Sequence, residues 1–539
     1  MKKYQIICYI LIINIFFSSC TWYKVIKSDH PSSFINDPKK TLPPYVNHYI
    51  LHFEDELLEL ATVVINKNNQ TISGKPIPFE GLQREYYDKI KKYNGSTTLK
   101  TNKEHRSAVK QIHLYVQNYS STEDGKLSFN FDDILKVEVS QMAYGKTTFT
   151  TITLATLGVV AGGAIFLAIA CGCPHVYIDN NGTYELNSTL FTGANASQLE
   201  RHDYKTLPNH ISSSDNFELK IVNEEEESQF TDLLELLAVY HSDSVEVLVD
   251  KDGNFHTIVK PITAKKGVDN GTNNILDEIA IADNNSYRFN ADSTKRLSEV
   301  FVTFEKPKNI TNGKLILTLK NSKWAGIVYN EFSSLFGKRY EYWVKKNQDK
   351  PREDRLKWMK EQGINLLVDV KTDNGWENIE YVELVGDVSY NSIVVPMNFL
   401  NKSKDIEIRL RSGFMFWELD YVGMDYSENT SLDVQILKPI YAKGNNGEDF
   451  VSALSTEDEY YMVHLEDGSS TKVKFEPIEI QEGKSSTVLI HSKGYYIMNK
   501  NYSGKVYRKE LAKFIEPGEL SRFSQKLYNY EMRGVTIIE

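Results

Sequence analysis

Asp405 to Arg411 reads DIEIRLR, and its alternation has no break. Ile406, Ile408 and Leu410 point one way, while Glu407, Arg409 and Arg411 point the other. A period of two is what a strand shows when one face is covered and the other is wet. Around it stand FELKIV, VEVLV, EVFVTF, LILTL, INLLVDV, FWELDYVGMDY, TKVKF and TVLIH, separated by turn signals such as NNG, DNG and DG. The fold class is therefore mainly β: β-sandwich-like domains with one helical insertion. In that insertion Ile327, Phe332, Leu335, Phe336, Tyr340 and Trp343 recur at helical spacing. A second helix is expected from DKPRED, with Asp349 as cap, Pro351 in the first turn and Gly363 as the stop.

The strand-rich region carries a weak internal repeat. KPITAK (260–265) matches KPIYAK (438–443), and AIADNNSY (280–287) aligns with ALSTEDEY (453–460). VTFEKP (302–307) aligns with VKFEP (473–477), and LTLKNSKW (317–324) with LIHSKGYY (489–496). Four matches in one order at nearly constant spacing point to duplicated β domains. Duplication fits binding or scaffolding better than a single catalytic cleft.

Upstream, residues 45–147 read as a small β-barrel or roll with an insertion at 80–108. Ile112, Leu114 and Val116, then Leu127, Phe129 and Phe131, then Leu135, Val137 and Val139 are its expected inward faces. Between this domain and the rest lies an apolar run. Residues 152–171 hold no charge and are just long enough to span ~30 Å of hydrocarbon. Gly158 and Gly162 form a GxxxG pair that lets helices approach closely. The segment is read as a transmembrane or membrane-associated helix over 149–172. Its flanks favour the outer side: Lys146 precedes it, while Asp179 and Glu185 follow with no Lys or Arg before Arg201.

The start, MKKYQIICYILIINIFFSSC, has Lys2 and Lys3, an apolar run, Ser18, Ser19 and then Cys20. That is the order of a secretory signal. Its last residues resemble the lipobox of bacterial lipoproteins, which implies cleavage before Cys20 and acylation of its thiol. Two or three acyl chains at ~0.8 kcal/mol per buried CH2 anchor a protein stably. The division that follows is a signal peptide over 1–19, a tether over 20–44, the β domain over 45–147 and the apolar helix over 149–172. Then come a β-rich domain over 173–330, the helical insertion with β strands over 331–430, a second repeat-bearing domain over 431–515 and a tail over 516–539.

Composition narrows the function. Net charge is -10, which argues against nucleic acid as a partner. Of four cysteines, Cys8 leaves with the signal and Cys20 is acylated, so Cys171 and Cys173 supply no disulfide framework. Cys171, Cys173 and His175 fall short of a four-ligand zinc site, and neither a metal nor a cofactor is expected. No nucleophile elbow, zinc helix or phosphate loop occurs in its required context. Two groups are left as candidate binding residues. Glu200, Arg201, His202 and Asp203 crowd four ionisable groups together, either as an acid/base or sugar-binding cluster or as a short capped turn in which Arg201 pairs with a carboxylate and Tyr204 anchors the loop. Trp417 and Asp420 are either an aromatic-carboxylate face for a sugar or one core face of a strand.

CPHVYIDNNGTYELNSTLFTGA, LERHDYKTLP, FTDLLELLAVYH and GFMFWELDYVGMDY resemble a family of exported bacterial proteins with no assigned activity. The resemblance covers roughly 173–500 and implies no catalytic residues. VGDVSYNSIVVPMNF stands where that family often has a Gly-rich turn. The expectation is a lipid-anchored, periplasmic or surface-facing envelope protein. It would be a non-catalytic binding or structural module whose partners are membrane lipid and a glycan or envelope protein. The alternatives are a glycan-active hydrolase and an oligomerising assembly factor.

Overall fold

The computed structural model describes residues 21–28, 48–143 and 174–538, apart from 55, 67–68, 93–98, 102–110, 123–124, 181, 209–216, 271, 291–295, 349, 400–403, 501 and 532–534. Cys20, Gly158, Gly162, the apolar run 152–171, Cys171 and Cys173 lie outside the described residues. Among the described residues no helix is long and apolar enough to cross a membrane. The chain divides into two compact units: one up to residue 168 with the 501–506 and 526–539 segments, the other over 169–500 with 507–525.

The first unit is a ten-stranded sheet. Its strands are β1 (Thr21–Ser28), β2 (His48–Phe53), β3 (Glu56–Asn66), β4 (Thr71–Pro78), β5 (Leu99–Thr101), β6 (Gln111–Val116), β7 (Ser120–Ser121), β8 (Leu127–Asn130) and β9 (Ile134–Ala143). They run in the order β5-β1-β9-β6-β2-β3-β4-β8-β7, and β33 (Val535–Ile538) lies parallel on β3. Among the described strands the path does not close on itself, which makes it an open, half-barrel roll. The expected insertion is α1 (Leu82–Lys92) followed by β5. Ile112, Leu114, Val116, Leu127, Phe129, Phe131 and Val137 are buried together, as their alternation predicts. Leu135 is a correction. It is 57% exposed and Ile134 takes the inward place, because the β6–β9 register shifts between Tyr115 and Val116.

The second unit is built from four consecutive blocks. Block one holds β10 (His175–Asn180), β11 (Thr183–Thr189), β12 (Arg201–Thr206), β13 (Glu218–Val222) and β14 (Glu227–His241). Block two holds β15 (Glu246–Val249), β16 (Phe255–Ile258), β17 (Ile262–Thr263), β18 (Lys266–Asp269), β19 (Asn273–Asn274), α2 (Leu276–Ile279), β20 (Tyr287–Arg288), β21 (Ser298–Glu305) and β22 (Asn312–Asn321). Helices α3 (Lys323–Ser334), α4 (Tyr340–Gln348) and α5 (Arg352–Glu361) follow. Block three holds β23 (Leu366–Thr372), β24 (Gly375–Val382), β25 (Asn391–Asn398), β26 (Asp405–Ser412) and β27 (Trp417–Asp425). Block four holds β28 (Asp433–Leu437), β29 (Pro439–Gly444), α6 (Val451–Ser455), β30 (Met462–His464), β31 (Ser470–Phe475) and β32 (Ser485–Met498). Two helices close the unit's sequence, α7 (Arg508–Leu511) and α8 (Glu519–Glu531).

Pairing joins the outer blocks to each other and the inner blocks to each other. Sandwich I has sheets β11-β10-β13-β31-β29 and β12-β32-β14-β28, with β30 also on β14. Sandwich II has sheets β24-β23-β26-β21-β18-β19 and β16-β15-β25-β22-β27-β17, with β20 also on β27. Replacing β10 to β14 by β23 to β27, and β29, β31 and β32 by β18, β21 and β22, turns the first sandwich into the second. The repeat is thus a tandem one, but each sandwich combines a half from either copy. Strands on the two sides of residues 330 and 430 therefore share sheets. Strands after 431 complete sheets begun before 241, because their open edges find partners only there.

A local detail confirms the equivalence. The β14–β32 ladder skips a residue between Thr231 and Leu233, leaving Asp232 in a bulge. The β22–β27 ladder does the same between Leu419 and Tyr421, leaving Asp420. Asp232 Oδ1 accepts the backbone N–H groups of Asp458 and Glu459. Asp420 accepts those of Asp283 and Asn284. Glu459 and Asn284 both have positive φ, 62° and 69°.

The core of sandwich I joins Ile178, Leu219, Ile221, Leu234, Leu236, Val473 and Ile490. Each such side chain removed from water contributes about 1.5–3 kcal/mol. The sandwiches meet along an apolar seam of Val239, Val247, Val249 and Leu489, flanked by Tyr204 and Phe255. In the helical insertion the Ser322 side chain caps α3 by accepting Ala325 N–H at 3.2 Å. α5 starts after Pro351, which is its N-cap in place of the expected Asp349, and Gly363 follows with φ +73°. The aromatic face is real: Phe332 packs on Phe336, Trp343, Trp358 and Phe514.

Candidate functional site

The outer face of β12, β32 and β14 changes character along its length. Beside the apolar seam, Tyr204 lies opposite His491, and His491 opposite Glu235. One step along, His202 lies opposite Lys493, next to the bulged Asp232. A further step brings Phe230 opposite Tyr495, with Glu200 at the start of β12. Strand register alone therefore gathers residues some 290 positions apart in sequence into one polar belt.

Two networks occupy the belt. In the first, Glu235 Oε1 accepts from His491 Nδ1 at 2.8 Å, and His491 Nε2 meets His202 Nδ1 at 2.9 Å. A carboxylate only accepts, and a neutral imidazole carries one N–H. With both rings neutral, the proton of His491 points at Glu235, that of His202 points at His491, and the Nε2 of His202 is left as an acceptor. Burial lowers the pKa of His202, although Glu457 at 3.6 Å pulls the other way. Tyr204 stacks on His491 at 4.5 Å between centroids. Gly253, with φ +84°, lies against the Tyr204 hydroxyl so closely that a Cβ there would collide with it.

In the second network the Lys493 ammonium sits 2.7 Å from Asp232, 3.5 Å from Glu457 and 3.9 Å from Glu200. Burial works against its charge, but Asp232 and Glu200 prevail and hold its pKa above the usual value. Burial also raises the pKa of Glu200, whose Oε1 is enclosed with no hydrogen-bond partner. Phe230 and Tyr495 stack at 4.7 Å, and Tyr461 meets both edge-on. Four carboxylates against one ammonium make the belt acidic, with an aromatic shelf at its far end. At its near end it opens on a cleft of about 930 Å³ between the sandwiches, lined by His202, Tyr204, Asp250, Lys251, Glu380 and Tyr381.

The residues expected from sequence divide. Glu200 and Tyr204 belong to the belt. Arg201 does not. Its guanidinium pairs with Glu383 and donates to the carbonyls of Thr192 and Leu384 at 2.8 and 2.7 Å, tying sandwich I to the strand-end of β24. Asp203 accepts Phe191 N–H at 2.8 Å and faces Lys205 at 3.5 Å, a structural role. The four residues 200–203 lead into a strand, not a capped turn. Trp417 and Asp420 lie on sandwich II, away from the belt. Trp417 is fully buried and donates its indole N–H to Ile364 O at 2.9 Å, so no sugar stacks on it. Asp420 is 2% exposed, in its bulge. HSKGYY (491–496) lies in β32, between β12 and β14.

Glu235, Asp232, Glu457, Tyr461, His491 and Lys493 went unnoticed as a group. Glu235 and Asp232 sit inside the apolar run FTDLLELLAVYH, where a carboxylate is the only local signal. Among the described residues no three His, Cys, Asp or Glu side chains are placed to hold a metal ion.

No family model matches the chain, and no curated protein matches it. Weak likenesses to solved structures exist. The structure titled as that of Sulfolobus Turreted Icosahedral Virus is 9% identical over 60% of this chain and 90% of its own, at a TM-score of 0.14. An archaeal virus protein with a triple jelly roll fold is 10% identical over 61% and 91%, at 0.12. The GH31 alpha-xylosidase of Xanthomonas citri is 8% identical over 83% and 38%, at 0.15. Likenesses this faint carry no functional argument.

Proposed function

We propose that this chain is a lipid-anchored bacterial envelope protein and a non-catalytic binding module, with the belt of sandwich I as its site for an envelope glycan. One observation carries the reading. At the positions of His491, Tyr204 and Glu235, sandwich II has Ile316, Val394 and Gly423. Ile316 and Val394 are covered there by Leu248 and Ile258. The first row of this face is thus apolar and covered in sandwich II and polar in sandwich I, while the rows beyond it are polar in both, with Thr318, Ser392, Lys320 and Glu418 standing where sandwich I has Lys493, His202, Tyr495 and Phe230. Carboxylates, an ammonium and a bare imidazole nitrogen suit sugar hydroxyls, and Tyr461 and Tyr495 suit their C–H faces. Export is supported by the Lys2-to-Cys20 pattern and by the likeness to exported proteins.

The test is retention of the purified chain on insoluble peptidoglycan and on a soluble envelope polysaccharide. Retention lost in Glu200→Gln and Lys493→Ala supports the reading; equal retention of both variants removes it. A second reading, a glycan hydrolase, rests on Glu200. Its carboxyl has a raised pKa and shares Lys493 with Glu457, as an acid and its partner would. Release of reducing ends by the wild type, lost in Glu200→Gln, favours that reading over binding alone. Cys20→Ser tests the anchor: the protein should leave the membrane fraction or keep its leader.

A further inference from the structure

The hairpin between β13 and β14 places polar side chains where a sandwich normally keeps hydrocarbon. Glu225, Glu227 and Gln229 alternate inward and are 5%, 1% and 1% exposed. Gln229 Nε2 donates to Glu227 Oε1 at 2.7 Å, which sets the carboxamide beside the carboxylate. Three oxygens are then left over. Glu225 Oε1, Glu227 Oε2 and Gln229 Oε1 are enclosed, and none has a hydrogen-bond donor. An unsatisfied buried polar group costs about 1–3 kcal/mol, and proteins rarely leave one alone. Three within a span of five residues call for a common occupant.

The surroundings narrow what it is. Lys500 reaches Glu225 Oε2 only at 3.9 Å, beyond hydrogen-bond length. Asp387, Asp467 and Glu227 add negative charge around Glu225. Asn223 is engaged with the backbone, donating to Glu227 O at 2.8 Å. A water has two O–H donors and cannot serve three acceptors together. A hard cation can, since its ligands are carboxylate, carboxamide and carbonyl oxygens. Sandwich II supplies the control. At the position equivalent to Gln229 it has Trp417, which fills the space, and its strand begins only there. The fold itself therefore does not require polar groups here.

We propose that Glu225, Glu227 and Gln229 form an oxygen-only site for one divalent cation of the calcium type, inside the hairpin end of sandwich I. Two carboxylates and a carboxamide make up the donor set, so it does not need three acids. To present its oxygen beside Glu227 the carboxamide turns about one bond and exchanges its hydrogen bond to Glu227 Oε1 for the ion. The site is independent of the glycan reading, since it lies in the interior and not on the belt.

The test uses the whole purified chain, stripped with a chelator and titrated with calcium or magnesium chloride. Calorimetry should show one calcium per chain that Glu227→Gln weakens by more than about tenfold. Saturation should raise the Tm by roughly 5 °C in the wild type and not in that variant. Glu225→Gln serves in its place if Glu227→Gln does not fold. Calcium binding unchanged in these variants overturns the proposal. So does a wild type indifferent to every cation beside a more stable Glu227→Gln, which would assign the oxygens to a proton.

Discussion

Sandwich I and sandwich II share strand order, ladder bulge and left-handed turn, yet they differ at two places, one on the outer face and one in the interior. Outside, His491, Tyr204 and Glu235 in one face Ile316, Val394 and Gly423 in the other. Inside, Gln229 stands against Trp417. Since the backbone is common, these differences are not demands of the fold. At these two places sandwich II is filled by Ile316, Val394 and Trp417, while sandwich I carries groups whose burial costs stability.

The sharpest way to break this contrast is in the interior. Trp417→Ala should cost about 3–5 kcal/mol, because it opens a large cavity in a closed core. Gln229→Ala should cost clearly less in the cation-free chain, as no apolar packing is lost. Equal losses in chemical denaturation would remove the distinction.

Next in size is the outer face of β26 and β23. Asp369 is fully buried and accepts from Arg409 Nε at 2.8 Å and Arg411 Nε at 2.6 Å. Burial alone would raise its pKa, but Arg411, Asn378 and Arg409 outweigh it and hold it below the usual value. A depressed carboxyl contributes stability above its unfolded pKa, near 4, which is lost as pH falls through the lower native value. Asp369→Ala should cost about 3 kcal/mol at pH 7 and flatten that acid-side loss, measured by denaturation at several pH values.

The two bulges sharpen the comparison further. Asp232→Ala removes a backbone clasp and the Lys493 pair, about 2 kcal/mol; Asp420→Ala removes the clasp, about 1 kcal/mol. The smallest effect falls on the belt. His202→Ala should change stability by under about 0.5 kcal/mol, since the ring is half open to water, while weakening retention on glycan.

Much of this architecture is legible in the sequence, for a physical reason. DIEIRLR, FELKIV and TKVKF alternate because one face of each is buried, so each strand declares itself locally. A duplication was readable, but not its register: the strands set Ile262 against Leu437 and Thr318 against Lys493, whereas the matches KPITAK/KPIYAK and LTLKNSKW/LIHSKGYY set them against Ile440 and Ile490. It was not readable between β14 and β27, where Glu235 and Gly423 have diverged with their surroundings. The exchange of halves could not be read at all, because no local pattern says which edge a strand will join. The belt shares that fate: His202, His491 and Glu235 meet only through the register of β12, β32 and β14. Trp417 shows the opposite error. An aromatic beside Asp420 looks like a sugar platform until the bulge turns the carboxylate into a clasp and the ring into the core.

The most direct test compares two equivalent positions. Lys493 of β32 corresponds to Thr318 of β22, opposite the same bulge. Dissociation constants for envelope polysaccharide should rise at least tenfold in Lys493→Ala and stay at the wild-type value in Thr318→Ala. A polysaccharide that binds Lys493→Ala as tightly as wild type, or that is released by Thr318→Ala, would contradict the assignment of the ligand to sandwich I.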